Sequence, residues 1–292
     1  MKILITGRRG QVGYCLVQRL IEREDIELVA YDRNDLDITN SEQVSIVITE
    51  LRPDVIINAA AYTAVDKAEK DIDQCHAVNH NGPLFLARSA EAVDALLLHI
   101  STDYVFDGTK LRAYLETDAT EPKSIYGKSK LAGEKAVEEN CSRYVILRTS
   151  WVFGEHGNNF VKTMLRLGLD RAELGVVGDQ FGGPTYAGDI ADALIAMVDK
   201  FTKADSKISG VYHFSGTPHV SWYDFACEIF SYAKVHGALS SMPVVKQIKA
   251  DQYPLPAPRP ANSRLDCTKI ESELGIKPRD WKLALANIAE YK

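Results

Sequence analysis

No pair of cysteines in this chain is spaced for a metal knuckle or a redox motif. The five, Cys15, Cys75, Cys141, Cys227 and Cys267, are scattered and odd in number, without a Cys-x-x-Cys or a His/Cys cluster. That argues against a disulfide framework and a structural zinc, and the expected setting is the reduced cytoplasm. Long hydrophobic runs are also missing. A membrane-spanning helix needs about 18 or more apolar residues in a row, and the most apolar segment, residues 92–100, has only a buried strand's length. The apolar run within residues 1–7 is too short for a secretion signal. Positive charge is not in excess: 34 Lys and Arg against 40 Asp and Glu leave a net charge of -6. That argues against a broad nucleic-acid surface but leaves room for a local basic pocket. Neither an internal repeat nor a low-complexity tail is present. What remains is 292 residues, 46% of them hydrophobic and 25% charged. This suffices for one large α/β domain or a main domain with a smaller companion.

The first stretch with chemical content is the apolar run Lys2–Thr6, followed by Gly7, Gly10 and Gly13 and then by an amphipathic pattern through Val12, Leu16 and Leu20 to about Arg23. Strand, glycine turn and helix in that order let backbone approach a pyrophosphate at a helix N-terminus, where unpaired N–H groups and the helix dipole favour an anion. A second strand, Ile26–Tyr31, ends at Asp32, placed to take the hydroxyls of an adenosine ribose. Arg33 follows it, and Arg8 and Arg9 lie in the glycine loop. Those cations could equally accept a 2′-phosphate, so the residues allow NADH or NADPH.

Alternation of strand and helix continues. A helix capped by Ser41 runs to about Arg52, and the strand Val55–Asn58 leads into Ala59, Ala60, Ala61, Tyr62 and Thr63. A helix over 75–93 is followed by the strand Leu96–Ile100, which delivers Ser101 to Phe106 to the same carboxyl edge. A helix through Tyr126 and Lys130 to about Glu139 precedes the strand Tyr144–Arg148. Such alternation predicts an α/β fold with a doubly wound parallel sheet and right-handed crossovers. Tyr126 and Lys130, four apart, share one helix face. An ammonium beside a phenol favours the phenolate and lowers its pKa, and a lysine there also reaches a cofactor ribose. With Thr102 at the end of the neighbouring strand, a hydroxyl, a phenol and an ammonium can converge on one carbonyl. Reduction by a nicotinamide requires a proton donor and a polariser of that oxygen.

These residues resemble the extended short-chain dehydrogenase/reductase superfamily. Longer strings resemble one branch of it, the dTDP-4-dehydrorhamnose reductases: LRPDVIINAAAYTAVDKAE over 51–69, STDYVFDG over 101–108, RTSWVFG over 148–154, NNFVKTML over 158–165, DQFGGPT over 179–185 and RPANSRL over 259–265. The resemblance implies a Rossmann fold and a nicotinamide-dependent reduction of the 4-keto sugar of dTDP-4-dehydro-L-rhamnose to dTDP-L-rhamnose. It implies cofactor contacts at Gly10, Gln11, Val12, Asp32, Asp37, Ile38, Ala61, Tyr62, Thr63, Tyr126 and Lys130, in addition to the glycines Gly7 and Gly13. Substrate contacts are implied at Thr102, Asp103 and Trp151. Trp151 offers an aromatic face to the apolar side of a deoxy sugar, or else is a core tryptophan. Some members of the branch hold magnesium at a dimer interface through two acids. Cys15 and Gly188 stand at the matching positions, with Asp189 adjacent. Neither is a ligand for a hard cation, so no magnesium is expected and any homodimer would use another surface. Epimerases and 4,6-dehydratases of the superfamily are the nearest rivals. Dehydratases carry a second acid after Thr-Asp, where this chain has Tyr104. A regulatory subunit that keeps the fold without catalysis is the other alternative.

The second half is looser. Helices are expected over 158–168, over 187–201 and from a Ser221 cap to His236, with strands at Leu174–Val177 and Val211–Phe214. Four prolines between Asp251 and Asn262 indicate an extended segment, flanked by Arg259 and Arg264, which reach either a nucleotide diphosphate or the surface. The expected division is a dinucleotide-binding domain of residues 1–150 plus about 187–214 and a smaller α/β substrate domain of residues 151–186 plus 215–292.

Overall fold

The computed structural model describes residues 1–201 and 208–291. Strand β1 (Lys2–Thr6) turns through the glycine loop into α1 (Gln11–Leu20), and β2 (Glu27–Tyr31) follows. Next come α2 (Ser41–Leu51), β3 (Val55–Asn58), the short α3 (Val65–Ala68) and α4 (Ile72–His76). A π-helical turn over Ala77–Asn81 joins α4 to α5 (Gly82–Ala92), and then β4 (Leu96–Thr102), α6 (Ile125–Asn140) and β5 (Tyr144–Thr149) complete the first half. The strands β1, β3 and β4 are apolar nearly throughout because both faces of a parallel sheet are covered.

Two expectations are corrected here. The cap of α2 is Asn40, whose side chain accepts from the Gln43 N–H, and not Ser41. The single helix expected over 75–93 starts at Ile72 and is broken by the π turn. Pro83 sits just inside α5; it has no N–H to offer and its ring crowds the carbonyl four residues back, so the ladder slips by one residue.

After β5 the chain forms β6 (Val152–Phe153), α7 (Phe160–Asp170), β7 (Glu173–Val177), β8 (Phe181–Gly182), β9 (Thr185–Tyr186) and α8 (Ala187–Phe201). Then follow β10 (Gly210–His213), β11 (Val220–Ser221), α9 (Trp222–Val235), β12 (Val244–Ile248), β13 (Asn262–Ser263), α10 (Thr268–Leu274) and α11 (Lys282–Leu285). The main sheet has the order β10-β5-β4-β3-β1-β2 with every pairing parallel. One face is closed by α1, α8 and α10 and the other by α2, α5 and α6. This is a doubly wound Rossmann sheet. Strand order reverses between β1 and β3, and the crevice at their carboxyl ends is where such sheets take ligands.

A separate apolar cluster is built from Phe153, α7, β7, α9 and the C-terminal Trp281, Leu285, Ile288 and Tyr291. We propose that the two cores mark two interleaved domains near the expected boundaries, with α10 joined to the first through Ile270 and Leu274. No helix among the described residues is long and apolar enough to cross a membrane.

Candidate active site

Two adjoining cavities open at the switch point. One, of about 530 Å³, is lined by Gly7, Gly10, Asp32, Asp37, Ile38, Ala61 and Tyr62, among others. The second, of about 570 Å³, is lined by Gly10, Gln11, Val12, Ala61, Thr63, Thr102, Asp103, Tyr126, Lys130 and Trp151, with Trp222. All the cofactor, catalytic and substrate contacts implied by the resemblance, except Gly13, therefore line one cavity or the other. Gly13 instead packs α1 against the loop: a Cβ there would lie 2.1 Å from the Gly7 carbonyl oxygen. Gly7 has φ +79°, and a Cβ on it would meet the Ala60 backbone at 2.6 Å, so the two loops of the crevice approach more closely than any side chain permits.

The donor set fits a dinucleotide. Gly10 caps α1 with no side-chain bond, and the first turn carries no acid, so no side chain competes with an anion for the first-turn N–H groups. Asp32 stands at the far end, bonded to the Asn34 N–H at 2.8 Å and paired with Arg9 (2.6 Å) and Arg8 (3.2 Å). The backbone bond from Asn34 and the two guanidinium groups hold its carboxyl below the usual range. Arg33 lies 3.7 Å from Asp37, and both line the first cavity.

At the other end α6 begins with Ser124 accepting from the Gly127 N–H, which fixes the turn carrying Tyr126. Lys130, one turn on, is buried and donates to the Ile100 carbonyl at 2.6 Å. Burial lowers its pKa to about 8. The expected lowering at Tyr126 is reversed here: burial pushes the phenol up, while a hydrogen bond with Thr102 acts weakly against that shift. The Lys130 nitrogen that would favour the phenolate donates to the Ile100 carbonyl and lies 3.3 Å from His99 Nε2 instead. Thr102 donates to Asp103 Oδ1 at 3.0 Å, and burial raises the Asp103 carboxyl to about 6. Asp103 Oδ2, Ser101 Oγ and Thr149 Oγ1 are buried without partners, which leaves polar capacity at this edge.

Arg259 and Arg264 line neither cavity. Arg259 forms a two-pronged pair with Asp66 at 2.8 and 2.6 Å, and Arg264 bonds Asn262 and the Leu111 carbonyl. The Cys15 and Gly188 positions do not fit magnesium. A Cβ at Gly188 would meet the Tyr186 ring and the Arg19 guanidinium, and the neighbouring Asp189 is paired with Arg279 at 3.0 Å. No trio of His, Cys, Asp or Glu among the described residues is arranged to hold a metal.

The model of the RmlD substrate binding domain matches residues 1–291. A dTDP-4-dehydrorhamnose reductase of Aggregatibacter actinomycetemcomitans is 50% identical over 290 residues, 99% of each chain. This chain belongs to that reductase family. It is thereby a nicotinamide-dependent oxidoreductase. A further family member, from Escherichia coli K12, is 41% identical over 98% of this chain and 96% of its own. The crystal structure of a dTDP-4-dehydrorhamnose reductase from Clostridium acetobutylicum superposes with a TM-score of 0.91 at 40% identity, covering 99% of this chain and 98% of that one. That of Bacillus anthracis, in complex with NADP, gives 0.90 at 39% identity over 98% of both chains. UDP-glucose 4-epimerase of Thermotoga maritima, 20% identical with a TM-score of 0.81, shares the fold.

Trp222 and the buried His99 and Asn58 were not legible as site residues. Trp222 follows directly on the Ser221 helix cap, and only folding brings it to the cavity wall beside Trp151.

Proposed function

We propose that the chain reduces the 4-keto group of dTDP-4-dehydro-L-rhamnose to give dTDP-L-rhamnose, the last step in making that nucleotide sugar, with NADPH or NADH as donor. The observation that carries this reading is the meeting of Thr102, Tyr126, Lys130 and Trp151 in one cavity with the N-terminus of α1. A bound reduced nicotinamide would supply the hydride. Gly10, Gln11 and Val12 would hold the diphosphate, and Asp32 with Arg8 and Arg9 the adenosine end. Asp37, Ile38, Ala61, Tyr62 and Thr63 would line the rest.

The Thr102 hydroxyl, which donates to Asp103 Oδ1 in the free protein, would turn to donate to the sugar carbonyl and orient it. Tyr126 gives its phenolic proton to the oxygen as negative charge develops there. A phenol pushed up in pKa by burial stays protonated at neutral pH, the state a proton donor needs. Lys130 holds the nicotinamide ribose and, when protonated, counters the phenolate left behind. Asp103 and Trp151 position the sugar. The setting we propose is the cytoplasm.

The test is the loss of reduced-nicotinamide absorbance when dTDP-4-dehydro-L-rhamnose is added, with the product sugar identified. Tyr126→Phe should lower kcat by about 100-fold or more. Full turnover in that variant would remove Tyr126 from the donor role. No turnover with either nucleotide, while both still bind, would favour a rival sugar-nucleotide enzyme.

A further inference from the structure

Beneath the active-site lysine, a line of buried polar side chains crosses the sheet. Thr6 Oγ1 donates to Asn58 Oδ1 at 2.7 Å, and the Ala60 N–H donates to the same oxygen at 3.1 Å. Asn58 Nδ2 lies 3.0 Å from His99 Nδ1, and His99 Nε2 lies 3.3 Å from Lys130 Nζ. Thr6, Asn58, His99 and Lys130 are all at most 2% exposed.

The direction of each bond in this line is fixed. A backbone N–H can only donate, so the Asn58 oxygen faces Ala60 and its NH2 group faces His99. An NH2 group also only donates, so His99 Nδ1 accepts and carries no proton. A neutral imidazole then bears its proton on Nε2, aimed at Lys130. An ammonium has no lone pair to receive it. The opposite tautomer sets an N–H against an NH2 group at 3.0 Å in a dry core, leaving both donors unpaired. The amine satisfies every atom: its lone pair takes the His99 proton, one hydrogen goes to the Ile100 carbonyl, and the other faces the cavity.

We propose that His99 is a positioning residue that favours the neutral amine of Lys130 over its ammonium in the nucleotide-free protein. The inference rests on, and deepens, the role given to Lys130 above. Burial acts in the same direction on Lys130 and keeps His99 neutral. Lys130 faces His99 from β4, the Cys75 thiol from α4 and Glu134 one turn along its own helix; Glu134 is itself tied to Arg148 of β5. Tyr126 and Asp103 lie toward the cavity. Of these, Glu134 and Cys75 favour the ammonium, and burial outweighs them. Lys130 lines the cavity, so solvent can protonate it from there. Only the protonated form counters a phenolate on Tyr126, so reduction falls as pH rises through the lysine's titration, and His99 sets where that happens.

The direct test reads the His99 tautomer by NMR in nucleotide-free protein carrying isotope-labelled histidine. The His99 signals are assigned by their absence in His99→Leu, or in His99→Phe should the first not fold. A protonated Nε2 with a bare Nδ1 is expected at pH ~9, where a lysine of pKa about 8 is mostly amine. A protonated Nδ1, or an imidazolium, overturns the proposal. In Asn58→Asp the carboxylate offers His99 an acceptor, and the proton should move to Nδ1; its retention on Nε2 would sink the idea. If that variant does not fold, the wild-type tautomer decides alone. In lysine-labelled protein, removal of the imidazole should raise the Lys130 titration midpoint by about one unit, and an unchanged midpoint refutes the role of His99. All these readings use protein without nucleotide, so they can fail while reduction proceeds, and reduction can fail while they hold.

Discussion

Trp151 stacks face to face on Trp222, ring centroids 3.5 Å apart and planes 10° apart, although its own backbone sits at φ +48°. A left-handed backbone costs a non-glycine residue about 1–2 kcal/mol. Here it is held by the stack on one side and by the bare Gly182 on the other, where a Cβ would meet the indole at 2.5 Å. Trp222 is in turn fixed by the Ser221–Asp224 capping box and packs on Phe160, 4.6 Å between centroids. The second core thus brings Trp151 and Trp222 to the wall of a cavity whose reacting groups belong to the first.

Trp222→Ala should therefore act through Trp151. The lost stack leaves the strained backbone free to relax, and the indole no longer holds one orientation. We expect the KM for the nucleotide sugar to rise by about 10-fold, with a smaller change in kcat. Steady-state kinetics at saturating nucleotide would separate the two, and an unchanged KM would show that Trp151 does not depend on its partner.

Gly7→Ala should abolish nucleotide binding rather than tune it. The new Cβ adopts an unfavourable backbone region and overlaps Ala60 at 2.6 Å, forcing apart the two loops that make the crevice. The strain alone is worth about 1–2 kcal/mol. Titration of reduced nicotinamide fluorescence would measure the loss, alongside a thermal melt to confirm folding.

Arg9→Ala tests the choice between nucleotides. Arg9 is exposed apart from its 2.6 Å contact with Asp32, so its removal should leave the fold intact. A charge-assisted contact to a 2′-phosphate would be lost, raising the KM for NADPH by about 10-fold while that for NADH moves by less than about 2-fold. Equal changes for both would place the 2′-position elsewhere.

Much of this was legible in the chain because the parallel strands announce themselves. The apolar runs at β1, β3 and β4 and the glycines after β1 locate the switch point directly, and Thr102, Tyr126 and Lys130 follow from their places at strand end and helix face. What escaped depends on geometry across elements. The π turn arises from Pro83 meeting the packing of α4 and α5, and spacing alone reads as one helix. The burial that pushes Tyr126 up comes from the packing of several elements around it, so a local Tyr-x-x-x-Lys pattern gives the wrong sign for its shift. Trp222 lies 71 positions from Trp151 in the chain, and only folding joins them.

Glu134→Ala should be the most destabilising of these changes. Glu134 and Arg148 form a two-pronged pair at 2.9 and 2.7 Å with side chains 2% and 5% exposed. Removing the carboxylate leaves a buried guanidinium uncompensated, at a cost of about 3–5 kcal/mol. Urea unfolding of the variant would measure this, and Glu134→Gln, which keeps an acceptor, should lose less.

Asp103→Asn should stabilise the protein in a pH-dependent way. Burial raises the Asp103 carboxyl from 3.8 to about 6, so the fold favours its neutral form. The stabilising effect of that neutral form is complete below the unfolded value of 3.8 and is lost as pH rises through about 6. Above that, the folded chain holds a buried carboxylate with one oxygen unpartnered. An amide carries no such charge, so the variant should gain up to about 3 kcal/mol over the parent at pH ~8 and little at pH ~4. Urea unfolding at both pH values would show it, and an equal gain at both would mean that ionisation is not the cause. With the substrate role proposed for Asp103, the same variant should trade its added stability for a higher substrate KM.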